Sequence, residues 1–134
     1  QKCRGLEYND VLQILTTLKN NSLIKNHRLR SQSVLHLIGL LETNEGNRSA
    51  AYLAFMQAQK LKPDIERGLM QSSILAAREY YPEALALLEH SERAYNKKRK
   101  SDWIDRRGKL DYQQEIDILK NQIEQDITEQ TTRQ

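Results

Sequence analysis

Three residues on one helical face return after a fixed interval. Ala51, Phe55 and Ala58 are followed by Ala84, Leu88 and Ser91, each 33 residues later. Within each set the spacings are four and three, which places the side chains on a single stripe of an α-helix. A period in this range marks a chain that stacks one small supersecondary unit, because one such unit cannot bury its apolar face alone. Composition agrees. The 134 residues are 38% hydrophobic and 29% charged, with a mean hydropathy of −0.78. That is lean for a compact globule but suits layers that touch only their neighbours. Good helix formers dominate, and no stretch shows the alternation of a half-buried strand. The chain is predicted to be all-α.

Around the first stripe the punctuation is clear. Val34 to Leu41 is a second apolar helix, and Gly39 within it lets a neighbour approach closely at a propensity cost of about 1 kcal/mol relative to Ala. Gly46 can adopt positive φ and close that helix. Pro63 stands where the next helix must already have ended. Two helices joined by the turn at 44–47 make an antiparallel hairpin.

This arrangement resembles the tetratricopeptide repeat. The resemblance rests on Gly39, the Gly46-Asn47 turn, Ala51, Phe55, Ala58 and Pro63, which stand at that family's spacings. Leu35 and Glu42 occupy positions where the family has aromatics on its first helix. A second unit is in phase through Ala84, Leu88 and Ser91. Its first helix departs from the pattern: Ser72 and Ser73 lie near the small position, the register is open by one residue, and Glu79 replaces the turn glycine. Gly5 to Leu15 looks like the turn and second helix of an earlier unit, with Val11, Leu15 and Leu18 on its buried face. That unit's first helix would lie before residue 1, as in the C-terminal part of a longer array.

The fold implied is an α-solenoid of antiparallel hairpins, right-handed in its superhelix, with a long C-terminal capping helix. Helices are expected near 8–20, 28–44, 48–61, 65–79, 82–98 and 102–130. The expected organisation is a single domain: a half repeat and linker over 1–27, repeats over 28–63 and 64–98, and a basic joint with the cap over 99–134. Ser101 or Asp102 would cap the last helix, and Trp103, Ile104 and Leu110 would continue the packing surface.

What the resemblance implies about function is a concave groove, lined by the first helix of each hairpin, that grips a protein or peptide segment. In this sequence that groove would hold Ser33, His36, Leu40, Thr43 and Asn44, then Arg67, Met70, Ile74, Ala77 and Arg78. His36 is expected to be groove-lining or half-buried. One branch of the family clamps a C-terminal carboxylate with Lys and Asn. Those positions fall on His36 and Leu40, so the clamp is not expected here.

Charge is uneven along the chain. Residues 97–109 hold Lys97, Lys98, Arg99, Lys100, Arg106, Arg107 and Lys109 against two acids, whereas residues 110–134 hold six acids against Lys120 and Arg133. The basic run would end a helix, where cations complement the dipole. The alternative is an anionic-polymer site for nucleic acid or polysaccharide, with Tyr95 and Trp103 as stacking groups. Further along, Tyr112, Ile116, Leu119, Ile123 and Ile127 form a seam at spacings of four, three, four and four. We expect this helix to cover the last repeat; its alternative is pairing with a second copy.

No Walker A loop, G-x-S-x-G or G-x-G-x-x-G is present. His27, His36 and His90 have no ligand-spaced partner, and Cys3 is the only cysteine. No enzyme activity, cofactor or metal is therefore expected. The expected partner is a protein or peptide rather than nucleic acid, with no membrane insertion and a monomer in preference to a homodimer. By fold-level analogy alone, a bacterial envelope or cytoplasmic assembly is the favoured setting.

Overall fold

A computed structural model describes the backbone of residues 2–101 and 106–133 and the side chains of residues 7–97 and 112–133. The described residues form seven helices and no strand: α1 (Lys2–Asn20), α2 (Ser22–Lys25), α3 (Arg28–Glu45), α4 (Arg48–Leu61), α5 (Ile65–Ala77), α6 (Tyr81–Ser101) and α7 (Arg106–Arg133). They group into two compact units, Gln1–Lys62 and Pro63–Gln134.

In the first unit α3 and α4 pack along their length, and α1 lies on α3. The hairpin is antiparallel: buried Gln32, near the start of α3, donates through Nε2 to the Lys62 carbonyl at the end of α4, 2.5 Å away. His27 caps α3, its Nδ1 accepting from the Arg30 amide. Gly46 stops α3 with φ of 89°. The Gly46 amide donates to the Thr43 carbonyl (3.1 Å) and the Asn47 amide to the Glu42 carbonyl (2.8 Å), which is the paired closure of a Schellman turn. Ala51, Phe55 and Ala58 are fully buried. A Cβ added at Gly39 would collide with the Phe55 ring, whose Cζ would be only 2.9 Å away. The missing side chain is what lets the two helices close on the ring.

The second unit is built on the same hairpin plus a third helix. Asp64 caps α5 by accepting from the Arg67 amide. Glu79 ends the turn with φ of 64°. Its amide donates to the Ala76 carbonyl (2.9 Å), and the Tyr80 amide donates to the Leu75 carbonyl (3.0 Å). The turn of α3–α4 is thus repeated 33 residues on, without glycine. Leu75, Ala84, Leu87, Leu88, Ile116 and Ile123 are fully buried. α7 packs on both α5 and α6. Tyr112 stands edge-on to Tyr95 near the end of α6, and Gln130 donates to Glu79 before its start, so α7 runs antiparallel to α6.

Several expectations are corrected. α1 already begins at Lys2, so Gly5 lies within a helix and not in a turn. Leu15 is buried, but Val11 and Leu18 are 41% and 40% exposed; half-buried Leu12 takes the inner position instead. The connection to α3 contains the short helix α2, capped by Asn21. α5 ends at Ala77, two residues early, because the closing turn occupies Arg78 to Tyr80. Ser101 is the last residue of α6, so it does not cap the helix that follows. Asp102, Trp103 and Ile104 lie outside the described residues, as does the Leu110 side chain.

Candidate functional site

The expected groove residues of α3 divide by burial. Thr43 is buried, its hydroxyl donating to the Gly39 carbonyl one turn back (2.7 Å). His36 is buried too, with its ring centroid 5.8 Å from that of Phe55. Both therefore help hold the hairpin and leave little surface for a partner. Ser33 and Leu40 are half-buried and Asn44 is exposed. Leu37, which the pattern did not single out, is 48% exposed beside them. On α5, Met70 is 51% exposed. Arg67 and Ile74 are half-buried, and Ala77 and Arg78 are exposed. Each hairpin thus presents a mixed face on its first helix, with aliphatic side chains flanked by polar ones.

One polar cluster went unnoticed in the sequence. Glu42 is buried at the end of α3, and its Oε1 accepts from Tyr8 on α1 (2.5 Å) and from Asn47 in the turn (2.8 Å). Asn47 Nδ2 also donates to the Tyr8 hydroxyl, 3.0 Å away. The carboxylate that holds the Tyr8 proton raises that phenol above its ordinary pKa, and burial adds to the shift. The cluster pins α1, α3 and the turn together. A buried carboxylate is costly unless satisfied, and here two donors satisfy it.

The seam of α7 is occupied within its own unit. Ile116 and Ile123 are fully buried, and Tyr112, Leu119 and Ile127 are half-buried, whereas Ile118, off the seam, is 68% exposed. Polar contacts fix the docking. Lys120 Nζ lies 2.9 Å from Glu92 Oε1, and Gln113 donates to Glu92 Oε2 at 2.8 Å. Burial alone would push the Glu92 carboxyl up. The hydrogen bonds from Gln113 and Lys120, with the Lys120 charge, outweigh it and hold the carboxyl below its ordinary value. Tyr112 donates to Glu66, and that bond, aided by burial, pushes the phenol up to about 12.

Of the basic run, Lys97 is an exposed residue of α6. The side chains of Lys98, Arg99, Lys100, Arg106, Arg107 and Lys109 lie outside the described residues. Among the described residues no group of His, Cys, Asp and Glu could hold a metal ion, and no helix is long and apolar enough to cross a membrane. No family model, curated protein or solved structure matches the chain.

Proposed function

We propose that this chain is a non-catalytic docking module made of tetratricopeptide-type hairpins, and that it holds a protein or peptide segment against the exposed face of the first helix of a hairpin. The observation that carries the reading is the recurrence at 33 residues. The same left-handed closure recurs at Gly46 and Glu79, and the same buried set recurs at Ala51, Phe55 and Ala58 and at Ala84, Leu88 and Ser91. Gly39 and Ser72, also 33 apart, are both buried, whereas Ser73 is exposed. That favours the register in which Ser72 fills the small position. On α3 the face left over offers Leu37, Leu40 and Asn44. On α5 it offers Met70 and Ile74. Aliphatic anchors at helical spacing with polar flanks suit an extended or helical segment.

Affinity capture with wild type and with Leu37→Glu/Leu40→Glu tests this. His36 stays untouched because it packs on Phe55. The double variant should keep its helical circular dichroism and lose its main partner. Retention of every captured partner would contradict the reading. Pairing of two chains through the α7 seam is disfavoured, because its Ile116 and Ile123 are already buried against α5 and α6.

A further inference from the structure

The first unit is electrically polarised. It contains nine Lys or Arg against four carboxylates, and no Asp or Glu occurs from Val11 to Leu41 or from Gly46 to Pro63. The hairpin geometry gathers the four acids, together with Arg48, at one end and six of the cations at the other. Glu42 and Glu45 close α3, and the Glu42–Tyr8 bond brings the early part of α1, with Glu7 and Asp10, to that same end. At the opposite end the tail of α1, the short α2, the start of α3 and the tail of α4 converge. Ser31 donates to the Ile24 carbonyl there and Gln32 to that of Lys62. Within the first unit this pole carries Lys19, Lys25, Arg28, Arg30, Lys60 and Lys62 and no acid; Asp64 of the second unit follows Lys62 by two residues.

A cleft of about 500 Å³ opens in it. Lys19, Lys25 and Lys60 stand around it, with Leu35 and Leu61 among its lining residues. None of these three lysines pairs with a carboxylate among the described residues. They also sit in the last turns of α1, α2 and α4, where a helix end carries about half a negative charge. α2 has only four residues, so two full helix ends oppose three cations and the mouth stays net positive. Leu23 and Leu29, at the same pole, are 72% and 47% exposed.

We infer that this pole is a docking site for an acidic peptide segment that places an apolar side chain in the cleft and carboxylates on Lys19, Lys25 and Lys60. Cations around an aliphatic floor complement a segment in which Asp or Glu flanks Leu or Phe. Nucleic acid fits less well: the cleft lining has no aromatic to stack a base and no Arg fork for bidentate contacts. A membrane surface would use the exposed Leu23 and Leu29 rather than the cleft, and it is an outcome of the test. The inference rests on the docking-module reading but uses a surface apart from the α3 face, so the two fail separately.

The test is fluorescence anisotropy of a labelled synthetic peptide with a Leu pair flanked by glutamates. Its partners are wild type, Lys19→Glu/Lys25→Glu/Lys60→Glu, Leu61→Gln and Leu37→Glu/Leu40→Glu. Wild type and the α3-face variant should bind alike. The triple reversal should weaken binding at least about tenfold, and Leu61→Gln about threefold. Raising salt from about 50 to about 500 mM should weaken wild type and leave the triple variant little changed. Unaltered binding by the triple variant, or no binding by wild type, overturns the inference. So does tighter binding, by wild type, of a single-stranded oligonucleotide or of phosphatidylserine vesicles than of the peptide.

Discussion

At the turn between α3 and α4 the left-handed residue is Gly46, and at the turn between α5 and α6 it is Glu79, with the same pair of closing hydrogen bonds at both. The two hairpins differ in how that geometry is supported. The first obtains it from glycine in the turn and a glycine that leaves room for the Phe55 ring, with the Tyr8–Glu42–Asn47 bonds bracing the turn from α1. The second adopts it without either glycine. A non-glycine residue there costs about 1–2 kcal/mol, and the hydroxyls of Ser72 and Ser91 are buried without a hydrogen-bond partner among the described residues. What it has instead is α7, which packs on both helices and whose Gln130 bonds the Glu79 side chain. Sequence pattern can wear away where a third helix supplies the packing.

The largest effects should come from the ring and its counterpart. Phe55→Ala is expected to cost about 3–5 kcal/mol and Leu88→Ala about 2–5 kcal/mol, read from urea denaturation, since both side chains are fully buried. Next comes a contrast of sign. Gly39→Ala should cost about 1–3 kcal/mol because its Cβ meets the ring. Ser72→Ala and Ser91→Ala should each be neutral or stabilising by up to about 1 kcal/mol, as each removes an unsatisfied hydroxyl. The same contrast at the turns is smaller. Gly46→Glu should lower stability by about 1 kcal/mol, and Glu79→Gly should raise it by about 0.5–1 kcal/mol after loss of the Gln130 bond. The smallest is electrostatic. Because the folded state lowers the Glu92 pKa, its contribution is present above the ordinary carboxylate value and lost as pH falls through the lowered one. Acid should therefore loosen α7 in wild type, and Glu92→Gln should remove that part of the pH dependence in a thermal-melt series.

Much of the first hairpin was legible in the sequence because its determinants are local. Gly46, the spacing of Ala51, Phe55 and Ala58, and Pro63 each act within a turn or one helix face. The second was legible only in phase, since Ser72 and Ser73 are chemically identical and only burial tells them apart. The Tyr8–Glu42–Asn47 cluster was not legible: Glu42 reads as a surface carboxylate until α1 brings Tyr8 beside it. The same holds for the basic pole. Lys60 is 35 residues from Lys25, and each of Lys19, Lys25 and Lys60 looks like an ordinary helix-end cation; the hairpin gathers them. Val11 and Leu18 misled because α1 buries a narrower face than its apolar residues suggest.

The central claim is that the second hairpin repeats the first, with Ser72 and Leu88 standing where Gly39 and Phe55 stand. A double-mutant cycle on those two positions tests it most directly. Leu88→Phe alone should overpack and cost about 1–3 kcal/mol. Adding Ser72→Gly should recover at least about 1 kcal/mol of that beyond additivity, because it recreates the space that Gly39 gives the Phe55 ring. Strictly additive effects in the urea-denaturation cycle would contradict the claim.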